Sequence, residues 1–331
     1  MLRSCAEPLA QAYDVAMLDL DGVVYVGEAP VPGAPEAIAE ARRLGQRVAF
    51  ITNNASRTPE KVAAKIVKAG VPADAEEVVT SAQAAARVLV DRHGKGAHVV
   101  VLGAAGLVEA LDVVGLQPVD VEDEDAVALV TGYGPDVIWR DVMRAAVRVR
   151  DGLPWVASNT DGTIPTGFGI APGHGVMVRM LRDFTGVEPV VAGKPSRPLL
   201  DETIARTGAQ RPLMVGDRLD TDIEGAVALD IPALLVMTGV TQLADLVAAP
   251  KRMRPTYVAS DLCGLVEAHP APTRDGASWR AGDWIGATTD GRLTVTGQGG
   301  TDDWWRAAAA AAWQWLDDAG EPADPTALRI P

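Results

Sequence analysis

The chain has 331 residues, 48% of them apolar and only 5% aromatic, which is enough for two or three domains with sizeable cores. Its 44 acidic and 30 basic residues give a net charge of −14, which excludes a broad nucleic-acid or anionic-membrane surface, so any anionic ligand must be held by a local site. Cys5 and Cys263 form no metal-ligand pattern, and neither a signal-peptide core nor an apolar run of ~20 residues occurs; the expectation is a soluble cytoplasmic protein with ordinary thiols.

Taken in chain order, apolar bursts alternate with helical patterns. Residues 15–20 read as a strand, 34–44 as a helix, 48–51 as a strand and 59–69 as a helix, a start that implies a largely parallel sheet. Bursts at 98–102, 126–130, 155–157, 190–191, 213–215 and 233–237 continue the alternation, with helices expected near 198–207 and 222–229. These are too many strands for one small sheet. Beyond His269 the composition changes, because six of the eight tryptophans lie there: Trp279, Trp284, Trp304, Trp305, Trp313 and Trp315. This tail reads as a separate module, with residues 279–287 and 292–296 forming a β-hairpin about an Asp290-Gly291 turn. Thr301-Asp302-Asp303 reads as the N-cap and acidic first turn of an alanine-rich helix to about 318, stopped by Gly320. The tryptophans read as a small core docking that helix on the hairpin, with partner binding or dimerisation as the alternative.

The first strand runs into Asp19-Leu20-Asp21-Gly22. On a strand, side chains at i and i+2 share a face, so a strand reaching Asp19 aims it and Asp21 at one place. Two carboxylates about 4 Å apart at an effective dielectric of about 20 repel by roughly 4 kcal/mol, so a proton, a cation or a positive side chain is expected beside them. Gly22 lacks a Cβ and lets the backbone turn sharply and approach a ligand. Three more polar segments follow at strand ends: Ile51-Thr52-Asn53-Asn54, Gly193-Lys194-Pro195 and Gly216-Asp217-Arg218-Leu219-Asp220-Thr221-Asp222. The carboxyl ends of strands are where open α/β sheets bind ligands.

In this order the four segments resemble the motifs of the haloacid dehalogenase-like (HAD) phosphohydrolases, over about residues 10–262. The resemblance implies a Rossmann-like parallel sheet core and phosphoryl transfer through an aspartyl-phosphate. It implies Asp19 as the nucleophile and Asp21 as the acid for the leaving alkoxide and later the base for water. It implies Mg²⁺ as cofactor, held by Asp19, Asp217 and the backbone carbonyl of Asp21. Thr52 and the N–H of Asn53 would take phosphate oxygens beside Gly22, while Lys194 would neutralise nucleophile and phosphate charge. Asp222 either reaches the metal through water, holds Lys194, or is a solvated first-turn acid; Asp220 reads as solvated. Asp21 argues against a dehalogenase, which needs no leaving-group acid there.

The 30 residues 22–51 leave no room for an inserted domain, whereas 139 residues lie between Asn54 and Lys194. Completing the sheet takes one or two strand–helix units of roughly 30 residues each, so about 100 residues remain for a cap. We read 1–81 and 189–269 as the core, 82–188 as an inserted α/β cap, and 270–331 as a small α+β extension. With Thr52-Asn53-Asn54 and Gly193-Lys194-Pro195-Ser196, this placement resembles the NagD / p-nitrophenylphosphatase-like branch. The overall pattern together with a C-terminal extension looks most like actinobacterial glycerol 3-phosphate phosphatases. The resemblance thus implies a phosphomonoesterase for a small-molecule phosphate ester, glycerol 3-phosphate foremost, in glycerophospholipid recycling. Phosphoglycolate, nucleotide or pyridoxal phosphate are alternative substrates, and a non-catalytic phosphate-binding regulator is the alternative class. No nucleic acid or membrane is expected as a partner, and a homodimer through cap or extension stays open.

Two cap segments, Thr131-Gly132-Tyr133-Gly134-Pro135-Asp136 and Ser158-Asn159-Thr160-Asp161-Gly162, resemble the branch's site-facing loops. They point to Tyr133, Asn159 and Asp161 as specificity residues, although the same residue types suit ordinary turns. His174, in Ala171-Pro172-Gly173-His174-Gly175, reads as a capping or surface histidine.

Overall fold

The computed structural model describes residues 1–331, the side chain of Pro165 excepted. The chain forms two compact units, one of residues 1–49, 69–71 and 207–331, the other of residues 50–68 and 72–206.

In the first unit the parallel strands lie in the order Tyr257–Ala259, Ala233–Val236, Pro212–Gly216 and Val15–Leu18, followed by the opening residues of Arg47–Thr52. Val15-Ala16-Met17-Leu18 and Ala233-Leu234-Leu235-Val236 are buried at every position, which is why they read as unbroken apolar runs rather than alternating ones. The helix Ala34–Arg43 buries Ala34, Ala37, Ile38 and Ala41, one stripe at helical spacing, with a proline in its first turn where no N–H is needed. The first strand ends at Leu18, two residues short of the apolar burst. Asp19 still donates its N–H to Val215 (2.9 Å), but the Leu20 carbonyl then collects the N–H groups of Val23, Val24 and Tyr25, and the chain coils away. The i, i+2 strand geometry expected for Asp19 and Asp21 therefore does not form.

The C-terminal segment belongs to this unit. Its sheet is antiparallel, in the order Thr273–Asp275, Ser278–Ala281, Trp284–Thr289, Arg292–Thr296. The expected strand over 279–287 is split at Gly282-Asp283, where Gly282 takes φ +53 and the chain reverses. The Asp290-Gly291 turn is present, both residues at positive φ. The helix Thr301–Ala319 has Gly300 rather than Thr301 at its N-cap, with no side-chain cap, and its first-turn acids make other bonds: Asp302 accepts from the N–H and hydroxyl of Ser260, and Asp303 from Arg306. A Cβ on Gly286 would meet the Ala307 carbonyl at 2.3 Å, so the helix lies directly on its sheet. Trp304, Trp305 and Trp313 are buried, but not only among themselves, since the Trp313 indole N–H donates to the Leu246 carbonyl (2.7 Å). Buried Arg254 forms a two-pronged pair with Asp317 (2.9 Å each) and lies over the Trp313 ring. The tail is thus fastened to the parallel-sheet part of its unit.

In the second unit the last residues of Arg47–Thr52 pair in parallel with Val78–Thr80. A separate five-stranded parallel sheet has the order Val190–Val191, Trp155–Ala157, Ala128–Thr131, His98–Leu102, Gln117–Val119. The helix Ser81–His93 begins with a reciprocal box between Thr80 and Gln83. Leu129, Trp155, Val142 and Leu181 anchor an apolar core between this sheet and the helices Trp139–Arg150 and His174–Thr185. Among the described residues no helix is long and apolar enough to cross a membrane.

Candidate active site

The acidic set is built in the first unit by loops at strand ends. Asp217 directly follows the strand Pro212–Gly216, and Asp222 lies in the single wide turn Leu219–Ile223 that precedes the short helix Glu224–Val227. That turn replaces the first part of the helix expected over 222–229, because the Arg218 carbonyl accepts both the Asp222 and Ile223 N–H groups. Asp19, Asp217 and Asp222 each offer a carboxylate oxygen within 4.8 Å of the others. Asp217 and Asp222 are buried and Asp19 is half-buried, whereas Asp21 is exposed. Asp220, also exposed, forms a two-pronged pair with Arg218.

Glycines make room for this charge. A Cβ on Gly239 would stand 2.0 Å from Asp217 Oδ2, one on Gly22 2.6 Å from the same atom, and one on Gly216 2.2 Å from Asp222 Oδ2. Gly22 also takes φ +90, a conformation side chains resist. Backbone donors fix the carboxylates: Val240 N–H reaches Asp217 Oδ2 (2.6 Å), and Arg218 N–H reaches Asp222 Oδ2 (3.1 Å). Three gathered carboxylates repel strongly, and the oxygen-only donor set is what a hard divalent cation of Mg²⁺ type takes. The donors fit such an ion.

The second unit holds a set built from amides. Buried Lys194, in the loop after Val190–Val191, has its N–H on Asn53 Oδ1 (2.8 Å) and its carbonyl on Asn53 Nδ2 (3.0 Å). The same Nδ2 donates to Asp161 (3.0 Å), and the Asn53 carbonyl accepts from Ser81 Oγ (2.6 Å) and Asn159 Nδ2 (2.7 Å). Thr52, buried beside Asn53, accepts the Asn54 N–H at its hydroxyl (3.1 Å). A Cβ on Gly193 would meet Asn53 Oδ1 at 2.6 Å. Asn159 and Asp161 therefore join Asn53 and Lys194 in one network. Tyr133 is half-buried and lies outside it, although the adjacent Gly132 packs on Ser158.

Two stretches of the chain match family models. Residues 16–117 match the haloacid dehalogenase-like hydrolase model, and residues 191–265 match a HAD-hydrolase-like model. The chain is 40% identical over 315 residues to a D-glycerol 3-phosphate phosphatase of Mycobacterium tuberculosis, covering 92% of this chain and 87% of that protein. The chain is a haloacid dehalogenase-like hydrolase. This hydrolase is also 35% identical over 257 residues to an acid sugar phosphatase of Staphylococcus saprophyticus, covering 77% of this chain and 97% of that protein. Among solved structures, a glycerol phosphate phosphatase from M. tuberculosis in complex with magnesium superposes with a TM-score of 0.85 at 40% identity, covering 93% and 92% of the two chains. A p-nitrophenyl phosphatase from Archaeoglobus fulgidus follows at 0.71 and 29% identity, covering 77% of this chain and 98% of that one.

Three features of the hydrolase escape a sequence reading. The loop Thr238-Gly239-Val240-Thr241 carries no acid or base, yet it holds Asp217 through Val240 N–H, and Thr238 Oγ1 donates to the Gly22 carbonyl (2.6 Å). A glycine just past the strand Ala233–Val236 is the one signal it offers. Ser81 opens a helix and looks like a cap, but its hydroxyl goes to the Asn53 carbonyl. His174 is neither a surface residue nor a side-chain cap: it is the first residue of the helix His174–Thr185, only 4% exposed, with Nδ1 on the Asn159 carbonyl (2.8 Å). Burial lowers its pKa to about 4.

Proposed function

We propose that this hydrolase is a Mg²⁺-dependent phosphomonoesterase acting through Asp19 on glycerol 3-phosphate. The observation that carries the reading is the 40% identity over 315 residues to a D-glycerol 3-phosphate phosphatase, in a chain that gathers Asp19, Asp217 and Asp222. A carboxylate oxygen of Asp19 bonds to phosphorus as the phosphorus–ester oxygen bond breaks, and Asp21 gives its proton to the departing alkoxide. Water then attacks the phosphorus of the aspartyl-phosphate and yields its proton to Asp21, and the bond to Asp19 breaks, releasing inorganic phosphate and restoring both carboxyl groups. Asp19, Asp217 and the Asp21 carbonyl would hold Mg²⁺, with Asp222 behind them, and the ion supplies the charge that draws electron density from the phosphoryl oxygens. The Thr52 hydroxyl and Asn53 N–H bind phosphate oxygens, and the Lys194 ammonium balances their charge.

We assign residues 1–81 and 189–269 to the catalytic core, 82–188 to a cap that chooses the leaving group through Tyr133, Asn159 and Asp161, and 270–331 to a bracing extension. The work is placed in the cytoplasm, in recycling of glycerophospholipid-derived glycerol 3-phosphate, by a chain able to pair through cap or extension. Steady-state rates with Mg²⁺ on glycerol 3-phosphate, phosphoglycolate, a nucleoside monophosphate and pyridoxal phosphate test the substrate. The largest specificity constant is expected for glycerol 3-phosphate; a larger one for phosphoglycolate overturns that choice.

A further inference from the structure

His174 is a buried titratable group that the mechanism above does not use. Its only charge-bearing option is disfavoured, because burial holds the ring neutral down to about pH 4 and it stands at a helix N-terminus, where a cation is unwelcome. A carbonyl oxygen only accepts, so the 2.8 Å contact to Asn159 places the proton on Nδ1 and leaves Nε2 as the lone-pair nitrogen. Nε2 is buried and has no hydrogen-bond partner among the described residues. The ring is thus committed to a single act, donation to Asn159.

What Asn159 does with that anchorage gives the contact its meaning. Its side-chain amide donates to the Asn53 carbonyl (2.7 Å) and its Oδ1 accepts the Asp161 N–H (3.2 Å). Asn53 in turn brackets Lys194, taking its N–H at 2.8 Å and giving to its carbonyl at 3.0 Å. An unbroken series of hydrogen bonds therefore runs from His174 through Asn159 and Asn53 to the lysine. Glycines on either side of the histidine let the loop come this close, since a Cβ on Gly173 would stand 2.4 Å from the Asp161 carbonyl, and one on Gly175 2.1 Å from that of Thr160. The loop 159–161 lies flat on the helix terminus, and Gly175 N–H holds it from the other side at the Asp161 carbonyl (2.9 Å).

We propose that His174 is a positioning residue for Lys194 and Asn53, acting through Asn159. The proposal rests on the phosphatase reading for the importance of Lys194, but the contact series itself does not. Two readouts separate them. Asparagine places its amide N–H near where Nδ1 stands, glutamine does not, and leucine offers no donor. In His174→Leu and His174→Gln, kcat for glycerol 3-phosphate with Mg²⁺ is expected to fall by about tenfold or more, more than KM rises, while His174→Asn recovers to within about threefold of the parent. In the same variants, amide hydrogen exchange at Lys194 is expected to quicken by about tenfold in His174→Leu and to return toward the parent in His174→Asn. Parent-like kcat and parent-like Lys194 exchange in folded His174→Leu would overturn the proposal. A parent enzyme that releases no phosphate while exchange still follows the donor at 174 would sink the phosphatase reading and leave the positioning role standing.

Discussion

The acidic set and the lysine set solve opposite problems by opposite means. Asp217 and Asp222 are crowded like charges, and they are held by backbone N–H groups in space cleared by Gly22, Gly216 and Gly239. Lys194 is a single buried cation, and its backbone is clasped by a side chain, Asn53, which Asn159, Ser81 and His174 secure in turn. Backbone clamps are rigid and insensitive to most substitutions but fail when a methyl group is added. Amide networks fail when one amide is removed and recover when a like donor replaces it.

The sharpest way to break the first kind of clamp is Gly239→Ala. Its Cβ would stand 2.0 Å from Asp217 Oδ2, so the carboxylate must move, and kcat with Mg²⁺ is expected to drop by about a hundredfold or more with a raised Mg²⁺ requirement. Titrating rate against Mg²⁺ checks this; a parent-like curve would show that Asp217 has slack. Removing the clasp in the second set by Asn53→Ala takes away the Asn53 hydrogen bonds to the N–H and carbonyl of Lys194, and kcat is expected to fall by about ten- to a hundredfold with an unchanged Mg²⁺ requirement. A shifted Mg²⁺ requirement there would blur the contrast between the two sets.

Two smaller effects read stability rather than turnover. Arg254→Ala strips Asp317 of its two-pronged partner and bares a buried face of Trp313, with an expected loss of about 2–4 kcal/mol in denaturant unfolding and near-parent kcat. Loss of turnover in that folded variant would give the extension a part in the chemistry. The pH dependence follows from His174. Its folded pKa lies at about 4, below the ordinary 6.5, so between those values the unfolded chain binds the proton that the native chain refuses. Stability is therefore full above pH 6.5 and declines toward pH 4, by up to about 3 kcal/mol from this group. His174→Asn should flatten that part of the profile; an unchanged slope would mean that the imidazole is not the group responsible.

The contrast also explains what can be read from residues alone. The parallel α/β alternation is legible because strands such as 233–236 are apolar throughout, and Asp19, Thr52, Lys194 and Asp217 stand out because polar residues end such runs. The place of Asp222 depends on the wide turn at Leu219–Ile223, which no periodicity announces. Gly239 is silent because its function is to lack a side chain beside a residue 22 positions earlier in sequence. His174 is hidden because Pro-Gly-His-Gly resembles any helix entry, and only the loop 159–161 folded onto it makes it a buried donor. The split of 279–287 into two strands turns on Gly282 adopting positive φ, a choice that glycine permits but does not require.

The most direct test of the mechanism is phosphate release from glycerol 3-phosphate by the parent and by Asp19→Asn, each with Mg²⁺ and with excess chelator. The expected result is turnover by the parent with Mg²⁺ alone, and a loss of about a thousandfold or more both in Asp19→Asn and on chelation. Equal rates for parent and Asp19→Asn, or parent turnover that survives chelation, would contradict it.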